Sequence, residues 1–172
     1  TFIMSIWGKL LAGTFGFALG GPIGALLGVI AGHSVDKIRG QSSSFQGTAQ
    51  SIQEVITVGV IILAAKLAKA DGQVTSDEVL AFKEKFQIPP NFQSDVGKIF
   101  NEAKKSSDDY HQYAQQLGMI FRNQTQVLEQ IINLLFYIAE ADGEISRSEI
   151  QFIEGCAKYF GLQRNQYESI QS

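Results

Sequence analysis

One motif occurs twice in this chain and fixes what it can fold into. Ala68-Lys-Ala-Asp71-Gly72-Gln-Val74-Thr75-Ser-Asp-Glu78-Val79 returns as Ala139-Glu-Ala-Asp142-Gly143-Glu-Ile145-Ser146-Arg-Ser-Glu149-Ile150, at a constant offset and with the same residue classes. Repetition of this kind is the signature of a duplicated structural unit. Each copy reads as a sharp junction between two helices. An apolar-periodic segment runs into Asp-Gly, where Gly72 or Gly143 takes the left-handed conformation that ends a helix without a Cβ penalty. Thr75 with Glu78, and Ser146 with Glu149, have capping-box spacing, and Val74/Val79 and Ile145/Ile150 stand where a hydrophobic staple fixes the approach of the next helix.

Ahead of the repeats lies an uncharged stretch from Leu10 to Ala31. Its length approaches the ~20 apolar residues needed to cross a hydrocarbon core about 30 Å thick. Trp7 suits an interfacial anchor, Lys9 alone precedes the run, and Lys37 and Arg39 follow it. The positive-inside rule then places the larger C-terminal part in the cytoplasm and the short N-terminus across the membrane. A cleaved signal peptide fits less well, because the run exceeds an apolar region of about 7–15 residues.

Within the run, Gly16, Gly20, Gly24, Gly28 and Gly32 recur at every fourth position. In lipid, helices associate by close packing, and a stripe of small residues lets backbones approach. The stripe predicts association through a glycine face, with a homodimer and docking on another membrane protein equally open. Pro22 divides the readings of the run. It either kinks a single span, the favoured reading, or opens a second helix of a glycine-faced hairpin. His33 is read as an interfacial polar residue.

Ser5-Ile-Trp7-Gly8-Lys9, the glycine stripe, and Gly32-His33-Ser-Val-Asp36-Lys37 resemble the N-terminus of DjlA-type DnaJ-like membrane co-chaperones. The resemblance implies a bacterial inner-membrane protein, with Met4 as the start and Thr1 to Ile3 as an upstream extension. In that family a C-terminal J domain stimulates an Hsp70 ATPase through His-Pro-Asp. Here His33 precedes Ser34 and His111 precedes Gln112, so these residues do not carry that activity.

Gln41-Ser-Ser-Ser44, between Gly40 and Gly47, has linker composition. The division expected is 1–40 anchor, 41–47 linker and 48–172 helical domain. A helix is predicted from Thr48 to Ala70; its uninterrupted apolar stretch, Val58 to Ala65, is too short to span a bilayer and reads as a buried core helix. Ser76 to Phe86 is amphipathic and stops before Pro89-Pro90. Further helices are expected over Asn91–Lys105, Tyr110–Phe121, Val127–Ala141, Glu149–Phe160 and Arg164–Ile170. Ser106-Ser107-Asp108-Asp109 supplies an acidic N-terminus to the second of these, and Val127–Ala141, apolar on nearly all sides, is centrally buried.

No strand-period stretch appears, so the fold class is all-α: a glycine-zipper transmembrane helix followed by an antiparallel bundle of about seven helices with an internal pseudo-symmetric repeat. From about Phe45 to Gln171, the Ala-Asp-Gly-x-Val/Ile-Ser/Thr-x-x-Glu repeat resembles the domain of tellurite resistance protein B, TerB, which also forms the middle region of DjlA-type co-chaperones.

The acidic repeats raise calcium binding as a function. Aligned on an EF-hand loop, they place Leu67 and Lys69 in one copy, and Ile138 and Glu140 in the other, at ligand positions 1 and 3, which excludes that motif. Pseudo-symmetry leaves open a shared divalent-cation site of Asp71 and Asp142 with Glu78 or Glu149, and the TerB resemblance implies such an acidic patch. The favoured reading makes the glutamates caps and the aspartates turn residues. No cofactor is required on either reading.

His33 and His111 stand apart from any His/Cys cluster, and no nucleophilic triad or phosphate-binding glycine loop is present. Cys156 alone makes no intrachain pair and reads as a small buried residue. Tyr110, Tyr113, Tyr137 and Tyr159 read as core, and Lys83, Lys85, Lys104 and Lys105 as solvated faces. A net charge of -3 argues against nucleic acid as a partner. The leading expectation is a non-enzymatic, membrane-anchored scaffold or adaptor of the DjlA type, reaching an Hsp70 chaperone only through a J domain outside these residues. A metal-ion or tellurite-stress sensor and an accessory subunit of a larger membrane complex are the alternatives.

Overall fold

The computed structural model describes residues 20–31, 49–72, 82–85, 87 and 93–171, which form helices, turns and short connections. The helices are α1 (Gly21–Ala31), α2 (Ala49–Asp71), α3 (Gln93–Ala103), α4 (Tyr110–Ile120), α5 (Thr125–Ala139), α6 (Arg147–Phe160) and α7 (Arg164–Gln171), with a 3-10 turn at Glu140–Asp142. Residues 82–85 are also helical. The all-α expectation holds, and the helices predicted as α2 to α7 fall within about two residues of their observed ends, while the ends of the one predicted over Ser76–Phe86 lie outside the described residues.

α2 is the rod about which the bundle is built. It is buried without interruption from 55 to 68, which is why its apolar residues surround the axis instead of lining one stripe. It touches α3, α4, α5 and α6. α5 is the second central helix, with Leu128, Ile131, Ile132, Leu135 and Ile138 all buried in the same core as Ile61, Leu63 and Leu67. α6 and α7 are amphipathic. α6 sets Phe152, Ile153, Cys156, Ala157 and Phe160 inward, and α7 contributes Tyr167.

α4 and α6 pack with their backbones close together. A Cβ on Gly118 would lie 3.0 Å from the Phe160 carbonyl oxygen and 3.1 Å from its Cα. On α6, a Cβ on Gly155 would run into the Tyr110 hydroxyl. Small residues thus set the spacing of this pair, although no periodic stripe announces them.

α1 begins after two glycines in left-handed conformation, Gly20 at φ 64° and Gly21 at φ 59°. Pro22 therefore lies in the first turn of α1, where its missing N–H costs nothing. This position of Pro22 corresponds to the less favoured reading, at the start of a helix; residues 10–19 of the uncharged run lie outside the described residues. No helix among the described residues is long and apolar enough to cross a membrane.

One expectation is corrected. Tyr137 is not core: it is 45% exposed, and the Lys85 ammonium stands 5.1 Å from its ring centroid. Asp109 occupies the N-cap position of α4 without a side-chain capping bond, because its carboxylate is engaged by a buried lysine.

Candidate functional site

The second junction has the local structure its residues dictate. Gly143 is left-handed at φ 93° and its N–H donates to the Glu140 carbonyl at 2.9 Å. Ser146 caps α6: its hydroxyl accepts from the Glu149 N–H at 3.1 Å, and Glu149 Oε1 accepts from the Ser146 N–H at 3.0 Å. Both halves of the predicted capping box are present, and Glu149 is 2% exposed. At the first junction Gly72 is likewise left-handed, φ 84°, with its N–H on the Ala68 and Lys69 carbonyls. Thr75 and Glu78 lie outside the described residues.

The two junctions meet. The Ser146 hydroxyl that caps α6 also donates to Asp71 Oδ1 at 2.8 Å. The pseudo-symmetry anticipated from the repeat therefore brings Asp71 to the serine of the other copy. Asp142 closes the 3-10 turn. Among the described residues no three His, Cys, Asp or Glu side chains converge as a metal site would require. Asp71 Oδ1 and Glu149 Oε1 are engaged by Ser146. Of the four residues expected to share a cation, Glu78 lies outside the described residues, as does the Asp142 side chain.

A second polar cluster, beside α1, has no counterpart in the sequence-based expectations. Lys66 on α2 is 2% exposed. Its ammonium donates to the carbonyls of Ala103 at 3.0 Å and Ser106 at 2.9 Å, and to Asp109 Oδ1 at 2.6 Å. It also stands 4.7 Å from the Tyr113 ring centroid. Three donors and three acceptors satisfy the buried charge, and they pin the α3–α4 turn onto α2. Burial pushes the Tyr113 hydroxyl above its usual range, and the negative charges of Asp109 and Glu102 act in the same direction.

Next to this cluster, Gln116 on α4 grips the start of α1. Its Nε2 donates to the Gly20 carbonyl at 2.8 Å, and its Oε1 accepts from the Ile23 N–H at 2.8 Å. Ile23 and Leu26 are buried in the bundle core, at 0% and 6% exposure. The sequence carries one signal for Lys66, the single charge between Val55 and Ala68 in the buried stretch of α2. It carries none for Gln116, whose partners are backbone groups 96 and 93 positions away.

Of the glycine stripe, Gly16 and Gly32 lie outside the described residues. Gly20 precedes α1, and Gly24 and Gly28 lie within it. His111 rests its Nδ1 3.0 Å from the Asp108 carbonyl oxygen. Cys156 is fully buried, and burial pushes its thiol far above its usual range, which makes it unreactive.

Residues 57–172 match the family model for tellurite resistance protein TerB, and residues 4–51 match that for the co-chaperone DjlA transmembrane domain. Among curated proteins, the chain is 26% identical over 176 residues to the co-chaperone protein DjlA of Photobacterium profundum, covering 95% of this chain and 63% of that protein. It is 28% identical over 174 residues to DjlA of Coxiella burnetii, with 94% and 64% covered, and 29% identical over 176 residues to DjlA of Vibrio cholerae, with 96% and 62% covered. The chain thus spans about three fifths of the length of these relatives. No solved structure matches it.

Proposed function

Because the chain belongs to the family of tellurite resistance protein TerB, and carries ahead of that domain a segment matching the DjlA transmembrane domain, we propose that it is the membrane-held scaffold of a DjlA-type co-chaperone. Residues 1–40 anchor it in the bacterial inner membrane, 41–47 link, and 48–172 form the cytoplasmic bundle. The glycine stripe packs the anchor against a second copy or another membrane protein. Hsp70 is the partner reached through a J domain, a role these residues support by position and not by chemistry.

The observation that carries this reading is the continuity of α2. The DjlA transmembrane match ends at residue 51, inside a helix that is buried from 55 to 68 as the axis of the bundle. The segment that resembles a membrane anchor and the axis of the bundle are thus consecutive in one chain.

The test is flotation with phosphatidylethanolamine/phosphatidylglycerol vesicles, followed by carbonate extraction. The full chain floats and resists extraction; deletion of residues 4–48 abolishes both while helical circular dichroism persists. With a J domain fused after Ser172, Hsp70 ATPase activity rises, and the unfused chain leaves it at its basal rate. A chain that stays in the aqueous fraction, or stimulates Hsp70 without a J domain, overturns the proposal.

A further inference from the structure

We propose that the seat formed by α3 and α4 is a docking groove for the chain's own residues 20–31, and that α1 leaves it on entering the bilayer, so that docking and insertion exclude each other. This inference rests on the membrane reading above.

Two properties of α1 conflict. It has no charged residue and lies within the segment matching a transmembrane domain, yet it packs on α3 and α4 with Ile23 and Leu26 buried in the bundle core. Its 11 residues span roughly 16 Å at the helical rise, about half of a hydrocarbon core.

The surroundings of the seat forbid both locations at once. A cavity of about 270 Å³ separates Ala25, Leu26 and Val29 from Glu102, Lys105 and Asp109. Carboxylates and ammoniums one cavity's width from α1 do not enter hydrocarbon, where ionised side chains are strongly disfavoured. In the docked position α1 therefore lies on the water side of the membrane.

Among the described side chains of α1, one face stays outside the seat. Ala25 is exposed and Val29 is 65% exposed, whereas a bilayer accommodates an apolar helix on every side. What favours the seat is specific recognition. The Ile23 N–H is among the first four of the helix, which have no intrahelical acceptor, and Gln116 supplies one while holding the Gly20 carbonyl. The seat is also shaped to glycine: a Cβ on Gly21 would stand 2.9 Å from the Gln116 side chain. The groove thus recognises an uncharged helix begun by glycines.

The test uses the full chain with Ala25→Cys and Ser106→Cys, two positions lining the same cavity. Cys156, fully buried, stays unlabelled. Spin labels at the two sites give a short-distance population in dilute detergent-free buffer that declines as phosphatidylethanolamine/phosphatidylglycerol vesicles are added, replaced by longer distances.

Gln116→Leu, which leaves the membrane segment untouched, lowers the docked-to-inserted ratio about tenfold, the worth of one or two hydrogen bonds. Gly21→Leu, which alters the helix and not the bundle, shifts it in the same direction. A short distance retained at full amplitude in carbonate-resistant vesicles overturns the proposal, as does a Gln116→Leu distribution identical to the parent's. A chain that fails to float overturns the membrane reading itself, and flotation distinguishes that failure from the other two.

Discussion

The Asp71 carboxylate accepts a hydrogen bond from the Ser146 hydroxyl at 2.8 Å, joining the Asp-Gly turn of one repeat to the helix cap of the other across 75 positions. The same hydroxyl accepts from the Glu149 N–H, so it closes two structures at once. Ser146→Ala removes the cap and the cross-link together and destabilises the bundle by about 2 kcal/mol, from roughly 1 for the cap and 1 for the partly buried hydrogen bond. Asp71→Ala loses the cross-link alone. A double-mutant cycle in urea yields a coupling of about 1 kcal/mol; a coupling of zero means the two turns merely lie side by side.

The Lys66–Asp109 pair is asymmetric, and the asymmetry predicts which partner matters more. Lys66 is 2% exposed and Asp109 36%. Asp109→Ala leaves an ammonium buried with two carbonyls and no counter-charge, and costs about 3 kcal/mol. Lys66→Met fills a similar volume with apolar atoms and leaves a carboxylate that reaches water, so it costs about 1 kcal/mol. Thermal denaturation of the two variants ranks them. The reverse order shows that the lysine stem and its carbonyl contacts, not the charge pair, hold the α3–α4 turn.

Legibility in the sequence follows the range of the interactions. The Gly143 turn and the Ser146–Glu149 box involve neighbours within three or four positions, so their residue types announce them. Helix extents are equally legible, because α2 and α5 carry their burial in composition and α6 in period. Asp109 shows where this stops: an acidic residue before a helix is a cap by local rules, but Lys66, 43 positions earlier, takes its carboxylate. Gln116 gives no signal, since a glutamine that bonds distant backbone looks like any surface glutamine. Tyr137 departs from its expected place because helical spacing sets it with Gln130 and Asn133 on the exposed face of α5, where its ring lies near the Lys85 ammonium.

Three glycines separate packing from conformational freedom. Gly118→Ala places a methyl against the Phe160 backbone, which cannot swing aside, and destabilises by about 2 kcal/mol. Gly155→Ala meets the Tyr110 hydroxyl, the tip of a ring packed against Phe152 and Tyr159, and destabilises as well, by about 1–3 kcal/mol. Gly97, within α3, has open space where its Cβ would be. Gly97→Ala therefore stabilises by roughly 0.5–1 kcal/mol through helix propensity and reduced unfolded-state entropy. Chemical denaturation of the three gives opposite signs for Gly97 and Gly118; equal signs would mean that α4 and α6 are not in backbone contact.

Burial of Cys156 makes stability fall on the alkaline side. Its thiol is raised above the ordinary value of 9.0 in the folded chain by desolvation, so between that value and the folded one the unfolded chain has lost a proton the folded chain retains. The stabilisation is complete below about pH 9 and declines above it by roughly 1.4 kcal/mol per pH unit. The hydroxyls of Tyr110, Tyr113 and Tyr167, also raised by burial, add slope of the same sign from about pH 10. Cys156→Ala, though less stable at neutral pH because of the cavity it leaves, removes the slope between about pH 9 and 10 and keeps the steeper fall beyond. If parent and variant lose stability in parallel over that interval, the thiol is not buried as α6 places it.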